Sequence, residues 1–266
     1  MPFVLGIDAA WTEGEPSGVA LAQIDGTHSR VLCVAPSYEQ FVQAGDGIRV
    51  DWGARQLRGS EPDIARLLSA ARRLGAGIVD LIALDIPLAK TPITSRRASD
   101  KAVSKAYGSK GCSTHSPSAT RPGPVSEALG RQLKDAGYML ETLPPTPLHS
   151  FRAIEVYPHP ALLTLLGRDF RIPYKVANST RYWKGAPIQL RLERLVGELR
   201  SIYHPLESKL GALPFVLPTV SEIAGPSQLK RYEDALDALV CAWIGIEHLN
   251  GKTTAYGDAN SVIWIP

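Results

Sequence analysis

Four aspartates interrupt the most apolar stretches of the chain. Asp8 and Asp85 each end a short apolar run, and Asp234 and Asp237 lie within an apolar helical pattern. A lone buried carboxylate is unfavourable and tends to become neutral, whereas several together usually need a cation, normally a metal, to stay ionised. The four acids are therefore the main indication of an enzyme.

The composition is that of one globular domain. The chain has 266 residues, of which 44% are hydrophobic and 21% charged. Its three cysteines show no CxxC spacing, which argues against a disulfide framework or a thiolate zinc site and favours a reducing compartment. The sequence shows no signal-peptide pattern and no apolar run of bilayer length. We predict a single cytoplasmic domain spanning residues 1–266.

The positive charge is concentrated in one segment. The formal net charge is +3, and residues 89–125 hold seven lysines and arginines against one acid, Asp100. A basic segment on an otherwise mildly acidic chain indicates a local anionic partner.

The apolar periodicity predicts a β-β-β-α-β order in the first third of the chain. Strands are predicted at 3–9, 18–24 and 30–35 as an antiparallel meander, followed by a helix with Ser60 as its N-cap and a strand at 78–84. The helical crossover lets this fourth strand lie parallel to the first. Asp8 and Asp85 would then lie at the carboxyl ends of neighbouring strands, where ligands of open α/β sheets bind.

The remaining two thirds alternate helices with irregular segments. An insertion at about 89–150 is predicted to contain two helices. The predicted elements are helices at 95–107 and 124–138, a fifth strand at 153–157, a short helix from Pro160, an amphipathic helix at 188–203, a final helix at 232–249 and a closing strand at 261–265.

The acids favour a site for hard divalent ions. Asp234 and Asp237 are three positions apart and project from one helix face. Oxygen ligands alone favour Mg²⁺ or Mn²⁺, and such a set can hold two ions about 4 Å apart for phosphodiester cleavage. Asp8 and Asp85 have an alternative role in capping their own turns. Asp234 has one as a helix N-cap.

Five short motifs occur in order along the chain: Gly6-Ile7-Asp8-Ala9-Ala10-Trp11, Leu84-Asp85-Ile86-Pro87-Leu88, Ile154-Glu155-Val156-Tyr157-Pro158-His159, Tyr174-Lys175 and Asp234-Ala235-Leu236-Asp237-Ala238-Leu239. Through these motifs the chain resembles the domain of unknown function 429 family, predicted nucleases of ribonuclease H-like fold. The resemblance implies an α/β fold with a mixed five-stranded sheet of order 3-2-1-4-5, flanked by helices. It also implies an acid placement similar to the RuvC-type resolvase branch, which Asp8, Asp85, Asp234 and Asp237 match, and a homodimer would be expected of such an enzyme.

Three further residues are candidates for the same site. Glu155 would join the metal site or support its ligands, and the alternative is an ion pair with Arg152 or Lys175. Lys175 would contact the scissile phosphate, unless it is an ordinary surface lysine. His159 would carry a proton or form a hydrogen bond at a helix N-terminus.

Two groups of basic residues are candidates for binding nucleic acid. Arg97, Lys101 and Lys105 repeat every four residues and would form one basic edge of the 95–107 helix, or simply a solvated face. Arg181 and Lys184 flank Tyr182 and Trp183 in a pattern typical of a base-stacking platform, and the alternative is loop packing.

Three functions are compatible with these features. The first is a metal-dependent phosphodiester hydrolase that acts on nucleic acid through two Mg²⁺ or Mn²⁺ ions. The second is a nucleotide-binding phosphotransferase or ATPase of the same superfold, in which the loop between residues 9 and 18 wraps phosphates. The third is a binding protein that has lost catalysis.

Overall fold

An eight-stranded mixed sheet forms the centre of the computed structural model, which describes residues 1–26, 28–144 and 151–266. The strands are β1 (Phe3–Asp8), β2 (Gly18–Asp25), β3 (His28–Ala35), β4 (Leu81–Leu84), β5 (Met139–Leu140), β6 (Arg152–Val156), β7 (Thr254–Gly257) and β8 (Val262–Ile265). The α-helices within these residues are α1 (Tyr38–Gly45), α2 (Ile64–Arg73), α3 (Ala98–Tyr107), α4 (Pro124–Asp135), α5 (Pro158–Leu166), α6 (Ser179–Tyr182), α7 (Ile188–Leu210) and α8 (Pro226–Leu249). No helix in these described ranges is long and apolar enough to cross a membrane.

The strand order is β3-β2-β1-β4-β6-β8-β7, and β5 pairs with β6 beside β8. The predicted antiparallel meander is confirmed, because β2 pairs antiparallel with both β1 and β3. The predicted parallel pairing of the fourth strand with the first is also confirmed. The predicted sheet of five strands is wrong, because β5, β7 and β8 extend the sheet beyond β6.

Two hydrophobic cores cover the two faces of the sheet. Alternate residues of β1 divide between them: Val4 packs with α5, α7 and α8, whereas Leu5 and Ile7 pack with α1, α2 and α4. This division follows from the two-residue period of a strand, which directs successive side chains to opposite faces.

Four helix starts differ from the predictions, including that of α5, which begins at Pro158 rather than Pro160. Helix α2 begins after Asp63, whose carboxylate accepts a hydrogen bond from the backbone N–H of Arg66 at 2.9 Å, so Asp63 rather than Ser60 is the N-cap. Helix α3 begins at Ala98. Helix α8 begins at Pro226, which places Asp234 inside the helix and excludes the N-cap role considered for it.

Two glycines bring α8 into backbone contact with the sheet. A Cβ atom on Gly6 would lie 2.3 Å from the carbonyl oxygen of Ala238, and one on Gly18 would lie 2.1 Å from the carbonyl oxygen of Asp234. Real Cβ atoms do not approach backbone this closely, so only glycine fits at either position. The helix that carries Asp234 and Asp237 therefore lies directly on β1 and β2.

Candidate active site

Asp8 and Asp85 lie side by side at the carboxyl ends of two parallel strands. Ile7 faces Leu84 in the register of β1 and β4, and the backbone N–H of Asp85 donates to the carbonyl of Ile7 at 2.9 Å. Both aspartates are half-buried and line one cavity of about 360 Å³. The position predicted for this pair is thus the one observed.

A second cavity adjoins the first, and we call the two together the acid cleft. Its volume is about 600 Å³, and Asp8 and Asp234 both line it. The residues that line both cavities are Asp8, Trp11, Glu15, His115, Lys175 and Lys230.

Helix α8 contributes three buried acids to this region. Asp234 and Asp237 are there as predicted, and Glu233 is a third that the sequence reasoning missed. The backbone contact at Gly6 and Gly18 holds this part of α8 against β1 and β2. Asp8 interacts electrostatically with Glu233, Asp234 and Asp237, which shows that strand ends and helix meet at one place.

Two lysines form ion pairs with the acids of α8. The ammonium of Lys175 lies 2.5 Å from Asp237 Oδ2 and 3.3 Å from Glu233 Oε1. The ammonium of Lys230 lies 3.1 Å from Glu233 Oε1 and also contacts Asp234. Lys175 is thus mostly buried between carboxylates, so the surface-lysine alternative is wrong. Its predicted phosphate contact stays a prediction.

Asp237 is held on both of its carboxylate oxygens. The hydroxyl of Tyr174 donates to Oδ1 at 2.6 Å, and Lys175 donates to Oδ2 at 2.5 Å. The Tyr174-Lys175 motif therefore orients Asp237, a role that the sequence did not indicate.

The carboxylates outnumber the ammonium groups, and burial disfavours their charged form. Burial, followed by the charge of Asp237, raises the pKa of Asp8 to about 7. Burial also raises the pKa of Asp85 and of Asp234 well above the usual range for aspartate, and in each case the charge of Asp8 contributes. If all five acids were ionised, the two lysines would leave an excess of negative charge, which bound protons or a further cation would offset.

Replacing Asp8 with asparagine is expected to stabilise the protein at about pH 8. The pKa of Asp8 in the folded protein, about 7, exceeds the ordinary value of 3.8 for aspartate. The folded protein therefore binds a proton that the unfolded chain has released, and stability falls as the pH rises through this window. Urea denaturation in EDTA should show that the free energy of unfolding of Asp8→Asn exceeds that of the wild type by about 1–3 kcal/mol at about pH 8, and that this difference vanishes towards pH 4.

Asp25→Asn, at the exposed end of β2, is the control for this prediction. A destabilised Asp8→Asn protein at pH 8 would contradict the prediction.

The chemistry of the donors fits a divalent cation, although their present positions do not enclose one. Asp234 Oδ2 is buried and has no hydrogen-bond partner. Hard oxygen donors with excess negative charge are what Mg²⁺ and Mn²⁺ prefer. No group of three or more acidic, histidine or cysteine side chains in the described ranges is arranged around a common metal position. In this structure the positive charge beside Asp234 and Asp237 comes from the two lysines.

Glu155 belongs to a separate buried ion-pair network at the edge of the cleft. Its carboxylate lies 2.5 and 2.7 Å from the guanidinium of Arg97 and accepts a hydrogen bond from the backbone N–H of Leu88 at 2.7 Å. Arg97 also binds Asp100 at 2.8 and 3.0 Å. The alternative considered for Glu155, an ion pair with Arg152 or Lys175, is therefore wrong.

The predicted basic edge of the 95–107 helix is not formed by Arg97. This residue is the N-cap of α3 and is buried, with its guanidinium bound to two carboxylates. Lys101 and Lys105 are exposed on α3. The nucleic-acid contact predicted for Arg97 is therefore wrong, because a buried and paired guanidinium does not reach a phosphate.

The aromatic residues near Arg181 and Lys184 pack partly into the protein. Trp183 is half-buried against the core, and the guanidinium of Arg194 lies 5.7 Å from its ring centre. Arg181 and Lys184 are exposed. Neither cavity of the acid cleft is lined by Arg181 or Lys184.

Basic and aromatic residues also line the cleft, among them Trp11, His115, Arg121 and Arg171. The ring of His115 meets that of Trp11 edge-on, with centres 6.1 Å apart. Burial, followed by the charges of Arg171 and Arg121, lowers the pKa of His115, which favours its neutral form. Arg171 donates to His159 Nε2 at 2.7 Å, which leaves the proton of a neutral His159 on Nδ1.

Comparison with known proteins identifies the family of the chain. No curated protein and no solved structure gives a match to the chain. A family model does match, over residues 6–261, and this span includes all four aspartates and both lysines of the cleft. The chain belongs to the family described as Protein of unknown function (DUF429).

Proposed function

We propose that the protein is a metal-dependent phosphodiester hydrolase of ribonuclease H-like fold that acts on nucleic acid. The observation that carries the proposal is the convergence of Asp8 and Asp85, from adjacent strand ends, with Glu233 and Asp234 of α8 in one cleft, with the charge of Asp237 acting on Asp8 from the same helix. The order β3-β2-β1-β4-β6, with an antiparallel meander followed by parallel strands, supports the ribonuclease H-like assignment.

Asp8, Asp85, Asp234 and Asp237 would hold the ions, which we expect to be two Mg²⁺ or Mn²⁺. Such ions supply Lewis-acid activation of water and stabilise charge on a leaving oxygen. The ion pairs of Lys175 and Lys230 would loosen as ions enter, because both cations compete for the same carboxylates.

The residues around the proposed ion ligands have defined tasks in this proposal. Tyr174 fixes the orientation of Asp237 by donating to Oδ1, and Lys175 holds Oδ2 until an ion enters. Glu155 accepts the backbone N–H of Leu88 and so holds the segment that follows Asp85, which makes it a positioning residue rather than a ligand. The backbone contact between α8 and the sheet keeps the acids from moving apart.

Metal binding and cleavage should be measured on the same variants. Isothermal titration with Mn²⁺ should show saturable binding to the wild-type protein and much weaker binding to Asp8→Asn. Cleavage of fluorescent single-stranded and duplex oligonucleotides should fall at least about 100-fold in Asp8→Asn and in Asp237→Asn. Asp25→Asn, also at a strand end, should retain both properties.

Two results would contradict the proposal. Cleavage at the wild-type rate by Asp8→Asn would remove this residue from the chemistry. A wild-type protein that binds no Mn²⁺ at millimolar concentration would instead favour a binding protein without catalysis.

A further inference from the structure

Part of the acid cleft is lined by basic, aromatic and polar residues, which we call its basic wall. Trp11, His115, Ser116 and Arg121 line the larger cavity together with Asp8 and Asp234. Arg171 lines the adjoining cavity together with Asp85. The two adjoining cavities are therefore lined by guanidinium and aromatic groups as well as by carboxylates.

The two arginines are available to bind an anion. Within the described ranges, neither Arg121 nor Arg171 has a carboxylate within 4.0 Å. Both are near enough to His115 to lower its pKa, so their positive charges act on the same part of the cleft. Guanidinium groups that line a cavity and have no carboxylate partner match phosphate oxygens well, because their N–H groups bind two oxygens at once.

The aromatic side chain beside them is suited to a nucleobase. Trp11 is half-buried, and its ring lines both cavities. Bases stack on such side chains when they are outside a duplex, since a paired base has its faces covered by its neighbours. The larger cavity, about 600 Å³, is of the size that encloses small-molecule ligands, and this corresponds to one or two nucleotide units.

We propose that this wall binds the nucleotide next to the scissile phosphodiester, with its base against Trp11 and its phosphate on Arg121 and Arg171. The substrate would then be a single-stranded oligonucleotide, or an unpaired segment, with at least one phosphate beyond the one that reacts. This inference rests on the proposed hydrolase function for the reacting phosphate, but the binding it describes requires no metal.

Binding of short ligands in EDTA tests this subsite apart from catalysis. The ligands are the dinucleotide TpT and the same dinucleotide with an added 5′- or 3′-phosphate, and the measurement is the quenching of tryptophan fluorescence. The wild-type protein is expected to bind one of the phosphorylated ligands about 10-fold more tightly than TpT, because a guanidinium–phosphate pair forms. Arg121→Gln is expected to reduce this preference to about 2-fold or less. Trp11→Leu should weaken the binding of all three ligands.

Arg121→Gln is a suitable variant because this side chain is exposed and makes no ion pair in the described ranges. Arg181→Gln is the matched control, because Arg181 is an exposed arginine of the other aromatic segment and lines neither cavity. It should keep the 10-fold preference.

Three results would overturn the subsite. They are an unchanged phosphate preference in Arg121→Gln, a preference lost in Arg181→Gln instead, and duplex DNA that binds more tightly than the single strand and is insensitive to Trp11→Leu. If the phosphate preference holds but no metal-dependent cleavage occurs, the binding site stands and the hydrolase function fails.

Discussion

Replacing Arg97 with methionine is expected to lower the free energy of unfolding by about 3–5 kcal/mol. The guanidinium binds Glu155 at 2.5 and 2.7 Å and Asp100 at 2.8 and 3.0 Å, and all three side chains are buried. Without the cation, two buried carboxylates lose their partner and must become protonated or move towards water. Urea denaturation at about pH 7 would measure the loss.

The control for this variant removes an ion pair that is exposed to solvent. Arg131 lies 3.9 Å from Glu127 on α4, and its side chain is 69% exposed, so Arg131→Met should change stability by less than about 0.5 kcal/mol. A double variant, Arg97→Met with Glu155→Gln, should recover part of the loss, since one buried charge is then absent. A loss below about 1 kcal/mol in Arg97→Met would mean that the network relaxes into solvent.

Replacing Gly6 with alanine is expected to destabilise the protein by about 3 kcal/mol or more. The added Cβ would lie 2.3 Å from the carbonyl oxygen of Ala238 and 2.4 Å from the backbone nitrogen of Ala242. These are backbone atoms of α8, so no side-chain rotation relieves the overlap, and the helix must shift away from β1. Because Asp237 is on that helix, Mn²⁺ affinity should fall along with stability.

A helical glycine in open surroundings provides the comparison. Gly197 is exposed on α7, and a Cβ there would meet nothing within 4 Å. Gly197→Ala is therefore expected to raise stability by about 0.5–1 kcal/mol, because alanine favours the helix. A Gly6→Ala protein as stable as the wild type would show that β1 and α8 are not in contact in solution.

The strand-end acids could be predicted because their signal is local. An apolar run that ends in aspartate shows both the buried strand and the residue at its carboxyl end, as at Asp8 and Asp85. The number of strands in the sheet could not be predicted in full. Strand β5 has only two residues and β7 has no buried residue, so neither shows a clear apolar alternation.

The partners of charged residues could not be predicted in the same way. Arg97 fitted a helix-face repeat with Lys101 and Lys105, but its burial depends on Glu155, 58 positions away on β6. Lys175 likewise pairs with Asp237 from a distant helix. The ion pairs of Lys230 could have been predicted from the sequence. Lys230 precedes Glu233 by three positions and Asp234 by four, which is the usual spacing for ion pairs on a helix.

The glycine contacts between α8 and the sheet have a consequence for how this protein can change. At Gly6 and Gly18, the distance between the helix and the strands is determined by main-chain atoms, and no side chain lies between them that could be enlarged or trimmed. New substrate preferences should therefore arise in the loops around Trp11 and His115, which can vary without moving the acids. A laboratory selection for altered specificity should accumulate its substitutions there and leave both glycines untouched.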